Sequence, residues 1–133
     1  MTKHAPLLAL AIASAVLVAV PAVEARPARA AATVAATAGK PSEFKFALSA
    51  KSVKHGAVTF TVTNQGSMPH DFRVCSKATK TAADTCAGKT TALISPGAKA
   101  TLKMTFKAAG TYEYLCTVPG HAAVGMKGLL KVT

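Results

Sequence analysis

At 133 residues, with sixteen Lys plus Arg against five Asp plus Glu and no Trp, the chain holds one small domain. That size excludes a large enzyme with a catalytic domain set beside a cofactor domain. A net charge of +11 and three cysteines are left for any assignment to explain.

The chain opens with Met1-Thr2-Lys3-His4, short and basic, followed by an apolar run from Ala5 to Val20 broken only by Ser14. These are the two leading regions of a signal peptide, expected over 1–25 with a second small-residue cleavage site after Ala30. The apolar run falls short of the ~20 residues needed to span a hydrocarbon core. Pro21, Glu24 and Arg26 follow it at once, so no stable membrane insertion is expected. No cysteine precedes Cys75, so the leader cannot end in a lipidated cysteine, and the product should be periplasmic or secreted. Cleavage after Ala25 leaves the charge at +11. Residues 26–39 are rich in Ala, Pro and Thr without strand-like alternation, which predicts a flexible tether ahead of a domain over 40–133.

From Lys40 onward apolar residues recur with period two, the signature of half-buried strands. Phe44, Phe46 and Leu48 alternate around Lys45, Val58, Phe60 and Val62 around threonines, and Phe72 and Val74 around Arg73. Leu102, Met104 and Phe106 follow, then Tyr112, Tyr114 and Cys116 around Glu113 and Leu115, then Leu130 and Val132. Asn64-Gln65-Gly66, Ser95-Pro96-Gly97, Gly110 and Pro119-Gly120 mark turns between them. Six or seven strands in under a hundred residues predict an all-β, antiparallel sandwich with Greek-key connections. The unpatterned stretch Ser76 to Lys89 reads as a long surface loop, with room for a short helical turn.

The residues that carry chemistry cluster near the C-terminus, where Cys116, His121 and Met126 recur at five-residue intervals. Cys116 ends a strand, Pro119-Gly120 turns the chain, and Gly125 to Gly128 leads into the last strand, so one loop folds three donors around a point. Upstream, His70 lies where the strand ending near Thr63 gives way to the one starting at Phe72, which brings a fourth donor to the same end. One thiolate, two imidazoles and a weak thioether suit copper cycling between Cu(II) and Cu(I). A zinc site would share the Cys and His donors, though thioether sulfur is a poor zinc ligand. A cysteine nucleophile with a histidine base would use the same pair, but nothing in the loop orients the imidazole.

The run Val62-Thr63-Asn64-Gln65-Gly66-Ser67-Met68-Pro69-His70-Asp71-Phe72, with Cys116-x4-His121-x4-Met126-Lys127-Gly128, resembles the cupredoxins, the blue copper proteins related to plastocyanin and azurin. The likeness covers about Glu43 to Thr133, and the ligand-loop intervals are most similar to those of auracyanins and rusticyanins. It implies His70, Cys116 and His121 as equatorial copper ligands and Met126 as a long axial one, with one copper per chain. It implies a non-enzymatic, monomeric carrier of single electrons between redox partners. Copper storage or delivery is the rival role, and a structural β-domain with a vestigial site a third. Asp71 departs from the Asn common at this position in azurin- and plastocyanin-like proteins, and by resemblance its side chain should reach the Thr117 region.

With Cys116 as a ligand, Cys75 and Cys86 are left to pair around the unpatterned stretch, as export favours, the alternative being two free thiols. His55, beside Gly56 in a turn, reads as a solvated histidine, and His4 leaves with the leader. Lysines spread over outward positions serve solubility, or steer the protein toward an acidic redox partner or an anionic membrane surface. Nucleic acid is not an expected partner, since export removes it and no aromatic residues interleave with the charges. Pro119, Ala122, Ala123 and Val124 are expected to surround His121 with a small apolar patch.

Overall fold

Alternation of apolar and polar residues drives the chain into nine strands, seen in a computed structural model that describes residues 1, 2, 22, 24 and 30–133. The leader expected over 1–25 lies outside the described residues except at those four positions. The strands are β1 (Ala32–Ala38), β2 (Phe46–Leu48), β3 (Ser52–Val53), β4 (Gly56–Asn64), β5 (Arg73–Ala78), β6 (Gly88–Thr90), β7 (Lys99–Phe106), β8 (Gly110–Leu115) and β9 (Lys127–Val132). One sheet has the order β2-β1-β4-β7 and the other β3-β9-β8-β5-β6. In β4 the buried set is Val58, Phe60 and Val62, and across from it on β7 stand Leu102, Met104 and Phe106, with threonines and lysines turned outward. Those side chains meet Phe72, just before β5, and Val74, Tyr112, Leu130 and Val132 of the second sheet in the main core. The all-β sandwich expected from the sequence is thus present.

Three expectations change. The segment read as a tether over 26–39 contains β1, a central strand pairing parallel to β4 from Ala32 opposite Val58 to Ala38 opposite Asn64. Its inward residues, Val34, Ala36 and Ala38, are buried, and small side chains there leave room beside Phe60 and Val62. Alanine carries little strand signal of its own, and two of the three inward positions are alanine, which is why the period escapes notice. The sandwich is not wholly antiparallel, since β1 with β4 and β3 with β9 run parallel.

The stretch Ser76 to Lys89 is not merely a loop. Its start completes β5, its end forms β6, and among the described residues it has no helical turn. Cys75 and Cys86 are joined by a disulfide. That crosslinked segment lies on the outer side of the second sheet, where Cys75, Leu115 and Ala122 form a small core packed by Cys86. Glu113, an outer-face residue by its alternation, is buried beneath it, and the Ala83 N–H donates to its Oε1 at 2.7 Å. Burial pushes this carboxyl up, against the pull of the Ala83 bond and the Lys127 charge.

Candidate metal centre

Three loops at one end of the sandwich converge because their hydrogen bonds leave them little freedom. β4 ends at Asn64, whose buried amide donates to the carbonyls of Met68 and Ile94, both at 2.8 Å, and accepts from the Gly66 N–H at 2.9 Å. This shapes the turn that delivers His70, whose backbone N–H and C=O both bond to Ile94 at 3.1 and 2.7 Å. Beyond β8, the Cys116 N–H donates to Met126 O (3.0 Å) and the Met126 N–H to His121 O (2.9 Å), closing the eleven-residue loop on itself. Gly125 enters that closure at φ +106°, in the left-handed region that disfavours a side chain.

His70, Cys116, His121 and Met126 are all buried. His70 Nδ1 and His121 Nδ1 lie 3.2 Å apart, and the Cys116 Sγ is 3.5 Å from the second and 4.0 Å from the first. Met126 packs directly with Cys116 and Ala38, flanked by Phe44, Phe46 and Val118. A point equidistant from three atoms so separated lies about 2.1 Å from each, against ~2.0–2.1 Å for metal–imidazole and ~2.3 Å for metal–thiolate bonds. The two rings and the sulfur therefore fit a single first-row metal ion. Cys75, Cys86 and Glu113 also lie close together, but the disulfide consumes both sulfurs and leaves no donor set.

Burial pushes the Cys116 thiol up to about 11, assisted by the charge of Asp71 and opposed by backbone N–H groups. Burial, and then the ring of His70, push His121 below the ordinary imidazole value. Both shifts disfavour charge on these two donors.

Around these side chains stand partners that hold them. Asp71 accepts from the Thr117 N–H at 2.5 Å and also from the Thr117 hydroxyl, tying the His70 loop to the residue after Cys116. It is the Thr117 link that the resemblance implied. Glu43 accepts from His70 Nε2 at 2.9 Å and from the N–H groups of Ser67 and Met68. Phe44 meets the His121 ring edge-on with centroids 5.0 Å apart, and Lys45 Nζ donates to Gly125 O at 3.1 Å.

Sequence reasoning passed over Asn64 as an ordinary turn residue and missed Glu43, which is far from His70 along the chain. Gly66 permits that approach, since a Cβ there would lie 2.5 Å from Glu43 Oε1 and 3.0 Å from His70 Nε2.

Outside the site, a groove lined by Met68, Pro69, Leu93, Val118 and Pro119 runs beside His121, itself 5% exposed. Val124 is exposed nearby, whereas Ala122, expected on that surface, turns inward to the small core under the disulfide.

Comparison with known proteins agrees with this geometry. The model of the copper binding proteins of the plastocyanin/azurin family matches residues 32–133. Auracyanin-B of Chloroflexus aurantiacus is 46% identical over 43 residues, a match spanning 32% of this chain and only 18% of that protein. The solved structure of auracyanin B superposes with a TM-score of 0.66 at 26% identity, covering 81% of this chain and 93% of that one. Rusticyanin from Thiobacillus ferrooxidans gives a TM-score of 0.56 at 26% identity, covering 76% of each chain.

Proposed function

Because the chain belongs to the plastocyanin/azurin family of copper-binding proteins, we propose that it is an exported type 1 blue copper protein that carries single electrons between redox partners. His70, Cys116 and His121 would hold the copper, with Met126 as a weaker fourth donor. The observation that carries this reading is the convergence of two Nδ1 atoms and one lone Sγ, all buried, on one point. Copper, when bound, supplies a one-electron couple. The chain supplies a donor set already assembled by hydrogen bonds, so that little has to move when the charge changes. It needs no substrate pocket, and the pre-formed, enclosed site favours electron carriage over storage or delivery, which call for an exposed and exchangeable one.

Partner chemistry follows from charge. Residues 30–133 hold thirteen Lys and Arg against four carboxylates, and each of the four is engaged. Glu43 is spent on the His70 loop, Asp71 on Thr117, Glu113 lies buried, and Asp84 pairs with Lys127. The cationic surface is thus nearly uncompensated, which suits an acidic redox partner docking over the apolar groove beside His121. Export to the periplasm or beyond accords with the disulfide between Cys75 and Cys86. No helix of the described residues is long and apolar enough to cross a membrane.

The test is to add Cu(II) to the purified protein and record its visible and electron paramagnetic resonance spectra. An intense sulfur-to-copper charge-transfer band with small parallel hyperfine splitting is expected, absent in Cys116→Ser. A Cys116→Ser protein as strongly coloured as wild type refutes the assignment.

A further inference from the structure

We propose that Glu43 is a positioning residue of the metal centre, holding His70 in the tautomer that turns a lone pair toward the Cys116 sulfur. This rests on the copper reading given above. A neutral imidazole has one N–H and one bare nitrogen, and whichever nitrogen faces an acceptor-only group must carry the hydrogen. Glu43 Oε1 stands 2.9 Å from His70 Nε2, while Nδ1 of the same ring faces His121 Nδ1 and Cys116 Sγ. With the proton placed on Nε2 by the carboxylate, Nδ1 is free to bind metal. Carboxylate–histidine–metal arrangements of this kind fix ring orientation and raise ligand basicity.

The carboxylate is itself held. Ser67 donates to it through both its N–H and its hydroxyl, each at 2.9 Å to Oε2, and the Met68 N–H donates to Oε1 at 3.0 Å. These bonds fix the orientation of both carboxylate oxygens, with Oε1 turned to the ring. The close approach depends on Gly66, because any Cβ there would crowd both partners, 2.5 Å from Oε1 and 3.0 Å from Nε2.

The neighbouring residues extend the brace. Phe44 packs on His121, Lys45 bonds Gly125 O in the ligand loop, and Phe46 packs against the cluster of Cys116 and Met126. Four consecutive residues thus touch every segment that contributes a donor. The two imidazoles are treated differently. His70 is locked by a charge, whereas His121 is held by packing at the surface groove.

Three variants and four readouts test this. In the metal-free protein at pH 8, two-bond nitrogen–hydrogen NMR correlations should show His70 with its proton on Nε2, and Glu43→Ala should yield a tautomer mixture. Glu43→Ala should also weaken Cu(II) retention about 10–100-fold. Glu43→Gln keeps one acceptor oxygen but removes the charge and sets an amide N–H group against donors on the other side, so its reduction potential should rise and its unfolding midpoint should fall less than that of Glu43→Ala. Gly66→Ala keeps the charge but crowds it away from the ring, and should shift the tautomer as Glu43→Ala does.

A His70 proton on Nδ1 in the wild type overturns the proposal. So does an unchanged potential in Glu43→Gln with a lowered unfolding midpoint, which would leave Glu43 a mere acceptor for Ser67 and Met68. The NMR arm needs no copper, so a failure to form a blue site would count against the function and leave the tautomer result standing.

Discussion

Replacing Asp71 by alanine removes both bonds between the first ligand loop and Thr117. The backbone bond is the dominant loss, because the Thr117 N–H is fixed in direction whereas the half-buried hydroxyl can rotate toward water. A hydrogen bond to a charged group is worth about 1.5–3 kcal/mol, and a buried donor left unpaired loses a similar amount. With Asp71 itself buried, Asp71→Ala should destabilise the metal-free protein by about 2–3 kcal/mol. Asp71→Asn retains an acceptor for the N–H and should lose no more than about 1 kcal/mol.

Urea unfolding followed by circular dichroism reads both values, provided the slope with denaturant stays constant. In the copper protein, Asp71→Asn should keep the blue spectrum and raise the reduction potential, because a negative charge beside the ligand loop favours Cu(II). Asp71→Ala should also release copper faster. An unaltered unfolding midpoint in Asp71→Ala, together with an unaltered potential in Asp71→Asn, would mean that the Thr117 contacts contribute nothing and would refute the reasoning.

Met126→Gln should retain copper and lower the reduction potential in a redox titration, since an axial thioether tunes the site without holding it. Complete loss of copper would make Met126 a primary ligand. Opening the disulfide with Cys75→Ala and Cys86→Ala should lower stability by about 2–3 kcal/mol by restoring loop entropy to the unfolded chain, measured by thermal or urea unfolding of the double variant. Because the Cys116 thiol is pushed up to about 11, a proton competes with the metal throughout the neutral range. Copper affinity should therefore rise about tenfold per pH unit between pH 7 and 9, with one proton released per copper, as calorimetry in buffers of different ionisation enthalpy would show. A pH-independent affinity over that range would place a thiolate in the metal-free site.

How much of this was legible in the sequence depended on side-chain size and on distance along the chain. β4 and β7 announce themselves because Val58, Phe60, Val62, Leu102, Met104 and Phe106 are large and alternate with polar residues. β1 stays silent because its inward residues are mostly alanine, a composition shared with the leader just before it. Cys116, His121 and Met126 were readable as a set because one loop carries them, and His70 because a turn precedes it. Glu43 was not, since only the pairing of β2 with β1 and the bend before it bring that carboxylate to His70. Leu115 and Glu113 misled for a related reason. Alternation puts them on the outer face correctly, but no local pattern reveals that a distant crosslinked segment covers that face.

β1 runs from Ala32 toward Ala38, which packs with Cys116 and Met126, while β9 runs from Lys127, beside the ligand loop, to Val132. Both ends of the folded domain therefore emerge at the pole opposite the donors. A tag, linker or solid support joined at either end would hold the molecule with its His121 edge pointing outward. On an electrode, attachment through the N-terminal segment would leave the metal pole facing solution, free for a diffusing partner, while attachment through an engineered cysteine near Val124 would turn that pole to the metal surface for direct electron exchange.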